Sequence, residues 1–397
     1  MKKNSPKARR IAMVVFSYYP ADVRVRRAAE ALVGEGDAVD IICLKGENQL
    51  PKETINKVNL HRLPVQRTRG GKLSYFWEYA FFLLLAFFKL SWFHLHRRYH
   101  LVHVHNMPDV LVFAAFIPWL TGTKIILDLH DPMPEVYRAK YSLRESHSFI
   151  KLLLFLEKQS IRLANLVLTP NIAFRDIFTS RSCPKDKIQI VMNSPDEAVF
   201  SLKNKDRESH EKNSPERFVL MYHGTIVERH GLDVALKALS RLRGKIPNLV
   251  FQVYGDGDYV NEFLTGIEQL ELSDTVVYHG YVQPESIAEE ISRCDLGLIP
   301  NRRNVFTEVN LPTRIFEFLS LGKPVIAPRT RGILDYFNDE SLYFHEAGNE
   351  ENLAEVIFEI YSNPEECQTR LERGIAVYQK HRWGLQRQHF LELVAGL

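Results

Sequence analysis

Asn310-Leu-Pro-Thr-Arg-Ile-Phe-Glu-Phe-Leu-Ser-Leu-Gly-Lys-Pro-Val-Ile-Ala-Pro328 reads as a turn, a helix, a second turn and a buried strand. Pro312 stands where a helix starts and Gly322 where one stops. Val325-Ile326-Ala327 has the continuous apolar character of a strand covered on both faces. This spacing places Arg314 and Glu317 in the first turns of the helix, where free N–H groups and the helix dipole favour an anion. A cation followed three residues later by a carboxylate suits a nucleotide sugar. Arg314 would face the phosphates, and Glu317 would accept hydrogen bonds from ribose or sugar hydroxyls. The competing reading is an ordinary helix carrying a solvated Arg–Glu pair.

On both sides of this stretch, short apolar runs alternate with helical patterns, the signature of parallel α/β sheets. Residues 11–16, 39–44, 101–105, 124–129, 166–169 and 188–192 read as a first series of strands. A helix over 23–35 has Asp22 as its N-cap and ends at Gly34 and Gly36. Residues 203–216 are charged and almost free of apolar side chains, as in a linker. The second series has strands at 218–222, 249–254, 276–279, 296–299 and 325–326, with helices at 234–243, 260–269 and 285–292. The pattern predicts two Rossmann-like, doubly wound domains facing a ligand cleft at their strand C-termini. Their bounds are 1–200 and 217–375, with a linker over 201–216 and a terminal segment over 376–397, whose last helix covers 384–394.

A chain of 397 residues can hold two cores, and 45% apolar with 25% charged residues is globular composition. Four widely spaced cysteines without a Cys-x-x-Cys pair argue for a reducing compartment, without structural disulfides or a zinc site. The apolar run at 11–16, after a basic N-terminus, is too short for a signal peptide. The net charge of +3 hides an asymmetry: residues 1–200 hold 29 Lys and Arg against 18 Asp and Glu, and the remainder holds 22 against 30. A cationic first half points to an anionic surface. With no nucleic-acid module visible, the membrane is favoured. Residues 75–95 fit that reading, with an apolar run at 79–88, edge aromatics Phe76, Trp77, Trp92 and Phe93, and flanking Lys72, Arg97 and Arg98. The uninterrupted run falls short of the roughly 20 residues of a span. It suits a helix lying in the interface, with one face on the core and the other on lipid; a buried Rossmann helix is the competing reading.

Loops at the predicted strand ends carry the candidate chemistry. The loop from Ser17 to Arg27 presents Asp22, Arg24 and Arg26. After strand 124–129 comes His130-Asp131-Pro132-Met133-Pro134-Glu135, a His-Asp pair in a proline-stiffened loop. There Asp131 could orient a ring or cap a helix, and Glu135 could reach an acceptor hydroxyl. His103, His105, Asn106 and Asp109 cluster at another strand end; the His-x-His spacing could bind metal, but no third ligand has a convincing position. In the second series, Gly224 to Gly231 has the form of a phosphate cradle, with Gly224 admitting backbone and Arg229 supplying charge. Gly255-Asp256-Gly257-Asp258 and His279-Gly280-Tyr281-Val282 close two further strands. The Asp-x-Asp pair imitates a metal motif of a different fold and is read as accidental.

The 310–328 stretch resembles the donor-site helix of retaining glycosyltransferases of family 4, which have the GT-B fold. Glu317 matches the second Glu of that family's Glu-x7-Glu motif, the ribose contact. Val309 stands at the first Glu position, and Glu308 is one residue out. His130 matches a histidine that contacts the transferred sugar, and Asp22-Val-Arg24-Val matches the family's opening segment. Thr225 and His230 occupy positions where the family commonly has Arg and Lys, so charge would come from Arg229 with Arg314. The Gly255–Gly257 turn would lie beside the nucleoside, and Tyr281 and Val282 would contact the base through backbone. Residues 193–196 match the interdomain turn, and the last helix would cross back to the first domain.

The resemblance implies sugar transfer, with retention, from a nucleotide-diphosphate sugar to a membrane-associated acceptor. That acceptor would be a lipid-linked glycan or polysaccharide of the cell envelope or an exopolysaccharide. His130, Glu317 and Arg229 would be catalytic. Gly224, Thr225, Arg229, His230, Gly255, Gly257, Tyr281, Val282, Leu311, Arg314 and Glu317 would bind the donor, and Asp22, Arg24, Asp131 and Glu135 the acceptor. No metal and no cofactor are expected beyond the co-substrate, and the protein would be cytoplasmic, peripheral on the inner face of the plasma membrane. A non-catalytic GT-B scaffold of a membrane synthase is one rival, kept open by Val309. A sugar-nucleotide epimerase of the same fold is the other, and the lipid-facing segment counts against it.

Overall fold

The computed structural model describes residues 8–66, 72–200 and 217–397, so the expected linker at 201–216 lies outside the described residues. The chain divides into two units, Met1–Met192 with Gln386–Leu397, and Asn193–Leu385. Each is an α/β sandwich built on its own sheet.

The first unit's strands are β1 (Arg10–Val14), β2 (Ala38–Leu44), β3 (Lys52–Ile55), β4 (Val58–Leu63), β5 (Leu101–His105), β6 (Lys124–Asp128), β7 (Leu166–Thr169) and β8 (Ile188–Ile190). They lie in the order β3-β4-β2-β1-β5-β6-β7-β8. All neighbours pair parallel except β3 and β4, a hairpin turned by Asn56 and Lys57 at positive φ. The sequence reading has no strands there, because Lys52-Glu53-Thr54-Ile55 is a polar edge strand without an apolar run. The helix Val23–Gly34 begins as expected: the Asp22 carboxylate accepts from the Val25 N–H at 3.3 Å. The helix Trp383–Ala395 sends its C-terminal part into this unit. There Gln386 accepts from the Met192 N–H at 2.8 Å, Phe390 lies on the His103 ring, and Arg9 donates to the Val394 carbonyl at 3.1 Å.

The second unit's sheet is wholly parallel. It comprises β9 (Phe218–His223), β10 (Leu249–Tyr254), β11 (Val276–Gly280), β12 (Leu296–Leu298), β13 (Val325–Pro328) and β14 (Tyr343–His345), in the order β11-β10-β9-β12-β13-β14. Its core joins Leu220, Tyr222, Phe251 and Val253 to the apolar faces of the helices Leu232–Leu242 and Glu350–Ser362. The strand order reverses beside β1 in the first unit and beside β9 in the second. In doubly wound sheets ligands bind outside the strand C-termini at such reversal points.

Candidate functional site

At the first reversal point, strand order brings Arg24, His103 and His105 onto one carboxylate, where His130 from the following loop joins them. In the β5–β6 pairing His105 stands opposite Asp128, and both are fully or nearly fully buried. Asp128 Oδ2 lies 3.7 Å from His103 Nε2, 3.4 Å from His105 Nδ1 and 3.5 Å from His130 Nε2. Arg24, from the helix after β1, donates to both oxygens, at 2.6 and 3.1 Å, and also to the Val191 carbonyl. Burial alone would raise the Asp128 pKa; Arg24 and the imidazoles around it instead hold it well below the usual range. His130 is fixed twice: its Nε2 is 3.0 Å from His105 Nδ1, and its backbone N–H donates to Asn106 Oδ1 at 2.7 Å. Asn106 in turn donates to Asp109 and to the Asp131 carbonyl, both at 2.8 Å, tying the two loops together.

Several readings change here. His103 and His105 do have a third group beside them: with Asp128 their donor atoms lie within 4.8 Å of one another. That carboxylate already neutralises Arg24, so a cation there would compete with a guanidinium. Arg24 turns inward onto Asp128 instead of facing outward to an acceptor. Glu135 has both oxygens on Arg181, at 2.7 and 2.9 Å, and is buried, so it braces the helix Met133–Tyr141 and offers no free carboxylate. The same Arg181, half-buried, also binds the buried Glu157, making a three-residue network. Asp22 serves as a cap. Asp131 is half-buried beside His130.

At the second reversal point, three loops converge on the C-terminal ends of β9, β10 and β11. Gly224 has φ +123°, and a Cβ there would crowd the Arg314 guanidinium, 3.0 Å from its Nη1. A Cβ at Gly255 would lie 1.9 Å from the Gly224 carbonyl oxygen, and one at Gly257 2.0 Å from that of Ile226. The loops therefore touch backbone to backbone, closed by Ile226 N–H to the Asp256 carbonyl and Gly255 N–H to the Gly280 carbonyl. Arg314 donates to the His223 carbonyl at 2.8 Å and lies over the Tyr222 ring at 4.6 Å. Glu317 Oε2 is 3.3 Å from His223 Nε2. Both residues come from the helix Arg314–Ser320, so the pair singled out in the sequence meets the end of β9. The competing reading, a solvated surface pair, does not describe them.

The remaining donor candidates line the same end of the sheet. The Thr225 carbonyl accepts from the Tyr222 hydroxyl and lies 2.7 Å from His230 Nδ1. Arg229 and His230 form the short turn Glu228–His230, with the Arg229 guanidinium over Phe306. Tyr281 is exposed, and Val282 and Leu311 are half-buried. Val309, at the position expected for a first Glu, is buried. Glu308 accepts from the Arg331 N–H and lies 3.4 Å from Arg303. The His223 partnership with Glu317 and the Asp128 hub were both missed in the sequence. The second was legible in outline, as a His-x-His strand end beside a neighbouring strand ending in Asp.

Buried neutral imidazoles give these sites a pH signature. Burial, aided by His103 at His105 and by Arg314 at His223, pushes both below the usual histidine range. An unfolded histidine titrates near pH ~6.5, so the unfolded chain binds protons first. Stability from these groups is complete above that pH and is lost as pH falls toward the folded values. Both groups should therefore withdraw stability as pH falls from about 6.5 to 5. Denaturation midpoints measured at pH 7 and 5 should fall accordingly; identical midpoints would mean that the imidazoles are charged or solvated in the native state.

Two family models match the chain: a glycosyl transferase 4-like domain over residues 21–194 and glycosyl transferases group 1 over residues 203–376. Among curated relatives, the amylovoran biosynthesis glycosyltransferase AmsK of Erwinia amylovora is 25% identical over 152 residues, 38% of this chain and 36% of the relative. The chitobiosyldiphosphodolichol beta-mannosyltransferase of Debaryomyces hansenii is 22% identical over 315 residues, 72% of this chain and 66% of the relative. The chain thus spans about a third of the first and two thirds of the second. Among solved structures, Anabaena HepE in complex with UDP-glucose superposes with a TM-score of 0.74 at 17% identity, covering 98% of this chain and 100% of that one. This likeness shows the fold: two parallel-sheet α/β units of GT-B type.

Proposed function

Since this chain belongs to the group 1 glycosyl transferases, with a 4-like domain ahead of the group 1 domain, we propose that it transfers a sugar from a nucleotide-diphosphate sugar to a growing envelope glycan or exopolysaccharide. The observation that carries this reading is the convergence of Arg314, Glu317, His223 and the Gly224, Gly255 and Gly257 loops at one sheet end. The glycines let the loops pack backbone to backbone and bring Arg314 to the end of β9, where its charge suits phosphates. Arg314 with Arg229 supplies positive charge as the diphosphate leaves, so no metal is required for that role. Glu317 holds the donor's hydroxyls, and His130 contacts the transferred sugar. The reaction retains anomeric configuration, the departing phosphate helping to deprotonate the acceptor. The UDP-glucose complex of HepE supports a nucleotide-sugar donor. The names of the two relatives support glycan synthesis, one of them on a diphosphodolichol carrier. The acceptor is lipid-linked, and the protein works at the cytoplasmic face of the plasma membrane.

A thermal-shift panel of UDP, GDP, ADP, CMP and their sugar conjugates, with and without Mg²⁺, tests this. One diphosphate family should stabilise the protein, with or without the ion. No shift with any nucleotide in folded protein would favour a non-catalytic scaffold.

A further inference from the structure

The connections β4→β5, β5→β6 and β6→β7 all advance in the same direction along the first unit's sheet. Right-handed crossovers therefore place their helices on one face. The first of these helices, Lys72–Arg97, buries Phe82, Ala86 and Leu90 completely and packs Phe82 and Tyr79 against Phe16. Its opposite side exposes Trp77, Phe81, Leu84, Phe88, Trp92 and Leu95, an unbroken stripe at helical spacing, with Trp77 69% and Leu95 67% exposed. The next helix, Phe116–Leu120, exposes Phe116, Trp119 and Leu120, and is tied to the first through His94 and Thr121 at 2.7 Å. The third, Ser148–Leu163, exposes Phe149, Leu152 and Phe155. Three of the chain's four tryptophans lie in the first two helices.

Exposed apolar surface on this scale marks an interaction site, and the charges choose its partner. These three helices contain only two acids, Glu78 and Glu157, and Glu157 is buried on Arg181. Arg98, Lys124, Arg144, Lys151, Lys158 and Arg162 are exposed on or beside them, against the exposed Glu145 beside the third. A second copy of the chain would set cations against cations, whereas an anionic bilayer satisfies both features. We infer that this whole helical face, and not one helix alone, is a docking surface for anionic lipid, with its aromatic rings at headgroup level. The segment Trp77–Arg97 is long and apolar enough to cross a membrane, with a mean hydropathy of 1.3. Its inner side is core of the unit, so the helix lies in the interface without spanning.

The test uses the full chain, without nucleotide or acceptor, and vesicles of phosphatidylcholine alone or with about a third phosphatidylglycerol. Failure here is thereby separate from failure of the transfer reading. Sedimentation should show at least about tenfold tighter binding to the anionic vesicles, weakening with salt. Bromine placed high on the acyl chains should quench the tryptophan emission of Trp383→Phe protein, which retains only the three tryptophans of the face. Phe88→Glu with Trp92→Glu, at exposed positions, should lose about tenfold in binding without loss of thermal stability. Absence of binding to either vesicle, or concentration-dependent dimerisation that the same double substitution abolishes, would overturn the inference.

Discussion

Arg314→Ala should lower kcat/KM for sugar transfer by about 10²–10³-fold, the usual cost of removing one donor aimed at developing negative charge. The side chain is held by the His223 carbonyl and by the Tyr222 ring, so its guanidinium sits against Gly224 at a defined position. Arg314→Lys should recover little, because a lysine cannot both lie over the ring and keep the fork-shaped donor in place. Losing the hydrogen bond to His223 costs the fold only about 1–2 kcal/mol. Folded protein whose melting falls by only a few degrees while turnover is lost therefore assigns the effect to chemistry. Arg293→Ala is the matched control, since that side chain pairs on the surface with Glu289 and Glu290. Steady-state transfer assays on the three variants decide; full activity in Arg314→Ala would remove the residue from the donor site.

Asp128→Ala should destabilise the first unit by about 3–5 kcal/mol, because it strands a buried guanidinium. Arg24 is only 10% exposed in its side chain and, among the described residues, pairs with no other carboxylate. Replacing both partners by apolar residues should cost much less than the sum of the single changes, as expected when the loss comes from an unpaired charge. Three of the four tryptophans lie in the first unit, so denaturation followed by fluorescence reports mainly on it. Additive losses in the double variant would mean that Arg24 and Asp128 act independently.

The apolar runs of both sheets were legible because fully buried parallel strands are continuous in sequence. Residues 101–105, 166–169 and 249–254 coincide with β5, β7 and β10. The polar edge pair β3 and β4 and the short β14 carry no such run and were missed. In the candidate site, the Arg314 and Glu317 pairing was legible because helix spacing is local. The full set of partners around His130 was not, since His105 and Arg24 reach Asp128 and His130 only through strand order. Glu135 misled for the same reason: its partner Arg181 is 46 residues away, and a carboxylate beside a candidate site looks free until its counter-ion is located. The apolar segment near 75–95 was legible as two-faced, but the two further helices that widen its outer face were not.

The central claim is that the loops at the ends of β9, β10 and β11 hold a nucleoside diphosphate. Calorimetric titration of the diphosphate selected by the stability panel into wild-type, Glu317→Gln and Asp128→Asn protein tests it most directly. The expected result is binding by the wild type, at least about tenfold weakening in Glu317→Gln through loss of charge-assisted hydrogen bonds, and unchanged affinity in folded Asp128→Asn, whose substitution lies in the other unit. Equal affinity in the wild type and Glu317→Gln, or no binding by either, would contradict it.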